Sequence, residues 1–427
     1  MSVTVTARKV AGKVAKIERK SEENTMPKTV SEYIEKNWDD CIRENRRDEG
    51  TLIGLPYPYT IPAVGHFDEL YYWDTYFTNL GLLIDGRALL AKYNVDNMLH
   101  LISRFGHMPN GNRTYYISRS QPPYLSMMVR DIYEYFGDKA WLRGAYEALL
   151  TEYDFWMTKR MTSCGLNQYS DDSPDEEFIR ISPDYCKRIG YTPAGKSPLD
   201  IGRHYLAVAE SGWDINTRFG FDASRFVQVD LNSLLYRLEK NMAHFARELS
   251  IGGADEWEKR AETRKERIFA LLENEQGLLL DYDFVAEKHS DTFAAVSFIP
   301  LLCGVAEQRH ADAMVRNLAR LEAAHGILAT ESNPFPGHYQ WGTPNGWPCM
   351  QYAAFAGLFA YGYEKEARRI AEKYIKLCDS AFEETGKLWE KYNVIEGNVN
   401  VTDEYDMPAM MGWTAGVYLK AKELLGK

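Results

Sequence analysis

Apolar residues recur at helical spacing along most of this chain, in segments that follow one another in pairs. Leu231, Leu234, Leu235, Leu238, Met242 and Phe245 form one stripe; Trp141, Tyr146, Leu149, Tyr153 and Trp156 form another. Residues three and four apart share a helix face, so each stripe must be buried against a neighbour. The same periodicity predicts helices over 30–45, 74–84, 87–105, 121–135, 138–160, 231–249, 255–272, 292–305, 310–321, 348–361, 364–384 and 411–425. Strand signals are short, and Leu278 to Tyr282 is the best of them. Twelve helices joined as consecutive hairpins predict an all-α fold, an (α/α)6 toroid whose inner and outer rings hide both apolar faces. An α-solenoid is the alternative, but no fixed repeat period is visible.

The 427 residues are 45% apolar, ample for a large core, and no Pro/Gly/Ser-rich run divides them. The expected organisation is a flexible arm over 1–25 and one catalytic domain over 26–427. A net charge of -11 repels phosphate backbones and argues against a nucleic-acid partner. The six cysteines have no short spacing, so reduced thiols are expected rather than a metal or redox motif. Residues 1–24 are charged, and no stretch is apolar for long enough to span a membrane. The expectation is a cytoplasmic protein without a membrane partner, monomeric or a small homo-oligomer.

The non-helical segments are long and rich in Pro, Gly, Trp and Tyr, and in a toroid such loops gather over one central funnel. Gly65 to Tyr76 holds five aromatics and three carboxylates. That mixture suits a sugar, whose C–H faces pack on rings while its hydroxyls need fixed acceptors. In Ser211 to Arg218, Gly212 permits a tight turn and Trp213 gives Asp214 an apolar wall. Such a carboxyl holds its proton to higher pH, as a general acid requires. Asp214 also fits the role of a loop residue capping a turn. Glu390 lies between Trp389 and Tyr392 beside Lys391, either a general base or an exposed ion pair. Asn110, Arg119 and Gln121 bring hydrogen-bonding groups together at a helix start, and Gln340, Trp341 and Trp347 mark a polar-aromatic loop. Tyr71, Trp213 and Arg218 from the same segments complete the substrate-binding candidates. Zinc-pair, phosphate-loop and nucleophile-elbow motifs are absent.

At these residues the chain resembles the trehalase family of inverting glycoside hydrolases. Pro62 to Tyr76 is similar to the family's first signature and Gln340 to Pro348 to its second. Asn110 to Arg113, Arg119 to Pro123 and Glu210 to Arg218 follow in the family's order. The resemblance implies a six-hairpin toroid, Asp214 as general acid and Glu390 as general base. Phe67, Trp73, Asp74, Asn110, Arg119, Gln121, Trp347 and Glu404 would line the sugar site. Inversion implies carboxyls roughly 6.5–9.5 Å apart and no metal or cofactor. The implied substrate is a small α-glucoside, α,α-trehalose first. The alternatives are another α-glucoside such as glucosylglycerate, the related mannosylglycerate, a sugar epimerase, and a non-catalytic sugar binder. The chain departs from the family pattern at His66, at Gly342 and over Asn400 to Asp403. In place of an arginine- and proline-rich segment it has Arg180 to Tyr185.

Overall fold

The computed structural model describes residues 27–401, 406–409 and 412–427; the expected arm over 1–25 and Glu404 lie outside them. Fourteen α-helices occur among the described residues. They are α1 Val30–Asn37, α2 Tyr72–Ile84, α3 Ala88–Phe105, α4 Leu125–Phe136, α5 Lys139–Lys159, α6 Asp175–Ile189 and α7 Pro198–Glu210. There follow α8 Val229–Glu248, α9 Ala254–Leu272, α10 Ile299–Cys303, α11 Gln308–Asn317, α12 Pro348–Ala360, α13 Glu364–Thr385 and α14 Gly412–Leu425. None is long and apolar enough to cross a membrane.

Six of these helices close a ring. α2 packs on α4, α4 on α8, α8 on α10, α10 on α12, α12 on α14, and α14 returns to α2. The ring helices are buried nearly all round: in α2 every residue from Tyr72 to Leu82 is buried. The outer helices α9 and α13 bury one stripe and show water a charged face. This is the expected toroid.

The element boundaries differ in places. α1 ends at Asn37 rather than 45, because a 3-10 turn and the strand Ile42–Arg43 take over. The predicted strand at 278–282 shifts to Tyr282–Asp283, which pairs with Phe226–Val227 and Lys288–His289. The segment 168–200, over which the periodicity predicts no helix, contains α6. Pro183 sits inside that helix and cannot bond Ile179 O; Ser182 Oγ donates to that oxygen instead, at 3.0 Å. α6 and α7 form a hairpin with small apolar clusters of their own, Phe178, Ile181 and Leu206 in one, Tyr185, Ile189 and Ile201 in another. Gly202 lets them approach, since a Cβ there would overlap Phe178 O.

Candidate active site

One cavity of about 380 Å³ opens among the loops at one end of the ring. That lies in the range of small-molecule pockets. Its first wall comes from the start of α2. The first amides of a helix have no partner inside it. Here Tyr72 N donates to Asn110 O at 3.1 Å and Trp73 N to Gln121 Oε1 at 3.4 Å. The 110–121 loop thus fixes Trp73 and Asp74 toward the cavity. Arg119 Nε donates to Asn110 Oδ1 at 3.3 Å, and its Nη1 lies 3.4 Å from the fully buried Asp171 carboxylate.

The Asp214 loop is anchored just before the turn. Glu210, at the end of α7, accepts from Arg160 Nε and Nη2 at 2.8 and 2.9 Å and from the amides of Ser120 and Ser170. Gly212 follows at φ 73, and a Cβ there would stand 2.7 Å from Trp73 Cε2. Only glycine fits both demands. Trp341 N donates to Ile215 O at 3.0 Å, tying the loop to the 340–347 segment.

Glu390 is held by different elements. Trp413 Nε1 donates to Glu390 O at 3.1 Å, and the fully buried Lys391 donates through Nζ to Glu390 Oε2 at 2.6 Å. Lys391 also sits 4.8 Å over the Trp347 ring. Strand Tyr392–Asn393 pairs antiparallel with Asn345–Gly346, so both loops approach the cavity together.

An indole cluster forms one wall. Trp341 and Trp347 stack at 3.7 Å, Trp213 stacks on Trp341 at 4.5 Å, and Trp413 meets Trp347 edge-on. In this setting burial raises Asp214 to about 6; Arg188 and Arg119 oppose the rise and Glu390 adds to it. Burial, reinforced by the Glu390 and Asp214 charges, raises Asp74 to about 8. The cavity therefore holds acids with separated proton affinities, the arrangement that divides acid and base roles. Among the described residues, no three His, Cys, Asp or Glu side chains group as a metal site would need.

Of the candidates from sequence, Asp214, Glu390, Phe67, Tyr71, Trp73, Asp74, Asn110, Arg119, Gln121, Gln340, Trp341 and Trp347 all line this cavity. Trp213 and Arg218 do not. Trp213 is a buried plate behind Trp341, and Arg218 lies 4.9 Å over the Trp213 ring while pairing with Asp230 and Asp281 at 2.7 and 2.9 Å. Arg180 is an exposed partner of Glu177. The arginine that α6 does bring to the cavity is Arg188, which sequence reasoning missed along with Tyr116, Tyr205 and Trp413. Position 342 also has a spatial reason to be glycine, because a Cβ there would overlap Asn333 Oδ1.

The family model for trehalase matches residues 4–426. The chain belongs to the trehalase family. A periplasmic trehalase from Xanthomonas oryzae pv. oryzae is 34% identical over 419 residues, covering 91% of this chain and 72% of the relative. Neutral trehalase from Saccharomyces cerevisiae superposes with a TM-score of 0.75 at 28% identity, over 92% of this chain and 79% of that one. A mannosylglycerate hydrolase from Thermus thermophilus shares the fold, with a TM-score of 0.62 at 20% identity over 86% of this chain and 96% of that one. The chain is thus a glycoside hydrolase of the trehalase family, acting on a small carbohydrate. The expectation of a cytoplasmic location is corrected: the curated relatives are named periplasmic trehalases. Compartment is set by targeting segments, so the composition of a folded body says nothing about it.

Proposed function

We propose that this chain hydrolyses α,α-trehalose to two glucose molecules with inversion, Asp214 as general acid and Glu390 as general base. Asp214 gives its proton to the bridging oxygen as the glycosidic C–O bond breaks. Glu390 takes a proton from the water that attacks the anomeric carbon from the opposite face. One glucose leaves as the β-anomer. The observation that carries this reading is the convergence of residues 214 and 390 on one indole-walled cavity. The acid keeps its proton to about pH 6, while the partner carboxylate is ion-paired to a buried lysine. The names of the curated and structural relatives support trehalose as the substrate, and those of the curated relatives support a site of action in the periplasm.

Arg119 and Arg188 both act on Asp214, and this favours a second reading, an α-glycoside whose leaving group is an acid such as glycerate. Proton NMR of reactions with trehalose, glucosylglycerate and mannosylglycerate separates the two. Early β-glucose from trehalose is the expected result. Intact trehalose with cleavage of an acidic glycoside would replace the first reading by the second.

A further inference from the structure

Adjacent side chains on an extended segment point to opposite faces, which would keep Glu390 and Lys391 apart. Here the chain bends at Glu390, just before the strand Tyr392–Asn393 begins. The first turn of α14 holds the bend: Thr414 Oγ1 donates to Trp389 O at 2.7 Å, and Trp413 Nε1 donates to Glu390 O at 3.1 Å. With the backbone bent, Lys391 Nζ reaches Glu390 Oε2 at 2.6 Å.

Lys391 is 0% exposed and does not line the cavity, so it does not touch a substrate there. Its ammonium lies 4.8 Å over the Trp347 ring, and that ring is itself fixed by stacking on Trp341. An ammonium sealed from water is costly unless paired, and an apolar side chain of the same length would fill the space without that cost. The charge therefore calls for a reason other than packing. The groups that face Glu390 supply one. Asp74 from α2 and Asp214 from its loop both feel its charge, as does Cys349 from α12, whose thiol is kept neutral by burial. A buried carboxyl beside two others tends to keep its proton, and a base that keeps its proton cannot take one from water. A cation in contact reverses that preference.

We propose that Lys391 is the positioning residue of the base, fixing the orientation of the Glu390 carboxylate and holding it ionised for the attacking water. The inference rests on the reading of Glu390 as base and adds the group that fits it for that role.

The dependence of kcat/KM on pH, measured with trehalose, tests this in Lys391→Met, Lys391→Gln and Lys391→Arg. A base works only while ionised, so the acid limb marks where Glu390 takes up its proton. Without the cation that uptake begins at higher pH. Both neutral variants should move the acid limb up by about 1–3 pH units, narrowing the bell from its acid side. Lys391→Arg keeps the charge and should move the limb less than either. Lys391→Gln, whose amide can donate to Glu390, gives the same readout should Lys391→Met fail to fold. A fall in rate that is uniform across pH, with the acid limb in place in the neutral variants, makes Lys391 a structural residue and overturns the proposal. Glu390→Gln separates this from the underlying reading. Turnover that survives Glu390→Gln sinks the base and this inference with it, whereas an inert Glu390→Gln beside an unmoved limb sinks the role of Lys391 alone.

Discussion

Asp74 and Asp214 are both kept protonated by burial, yet only Asp214 has Arg188 and Arg119 pulling it back, to about 6 against about 8. That difference suits Asp214 to release a proton during turnover and Asp74 to remain a neutral hydrogen-bond donor. Replacing Asp214 by Asn or Glu390 by Gln should lower kcat by about 10²–10⁴-fold, the range for an essential acid or base. Near-normal turnover on trehalose in either variant would remove that residue from the mechanism. The acid works only while protonated, so as pH rises through about 6 the competent fraction falls toward tenfold per unit. The alkaline limb of kcat/KM should therefore begin near that pH. Arg188 lowers the Asp214 value, so Arg188→Ala should move the limb to higher pH. A pH–rate profile checks the sign, and a limb that stays put or moves down would show that Arg188 does not act on the acid.

At the scale of elements, α2 is tied to the outer helix α5 by Tyr72, whose hydroxyl donates to Glu152 Oε1 at 2.5 Å. Burial raises Glu152 from 4.5 to about 7. A raised folded value means the folded state holds the proton more tightly. Its contribution is thus complete below pH 4.5 and is lost as pH rises to about 7. At 1.36 kcal/mol per unit the loss amounts to about 3 kcal/mol. Urea unfolding at pH 5 and pH 8 should show a shallower fall in stability for Glu152→Gln than for the parent. An equal fall in both would mean that Glu152 ionises in the folded state as readily as in the unfolded one. The strongly periodic helices α8, α9 and α13 were legible because period and burial coincide there. The α6–α7 hairpin was not, although its signals are present in the sequence. Ser197-Pro198-Leu199-Asp200 is a capping box with Pro at the first helical position, and α6 runs from an acidic first turn to Gly190. Pro183 hid α6, since the hydroxyl of Ser182 that compensates for it is a three-dimensional fact. Arg188 was missed for the same reason, while Arg218 was overvalued because its motif neighbours Asp214 in number but its side chain turns to Asp230 and Asp281.

For the whole molecule the decisive contact is the one that closes the ring. The paired apolar stripes predict a closed toroid, but they do not say which residues make the seam. That closure is made by glycines: a Cβ on Gly416 of α14 would overlap Phe77 O of α2, and one on Gly81 would stand 2.8 Å from Gly416 Cα. Closure matters to the chemistry because α2 delivers Trp73 and Asp74, while the start of α14 delivers Trp413 against Glu390. Helix propensity and packing make opposite predictions for Gly416→Ala. Propensity alone would stabilise the protein by up to about 1 kcal/mol, since alanine is the better helix former. Overpacking in a tight helix contact costs about 1–3 kcal/mol or more. The overlap with a backbone oxygen leaves no flexible atom to yield, so packing should win. Urea unfolding should show Gly416→Ala destabilised by at least about 1 kcal/mol, with a kcat loss on trehalose as Trp413 and Glu390 shift away from Asp214. A variant as stable as its parent would mean that α2 and α14 can separate without cost, and that the toroid does not depend on this seam.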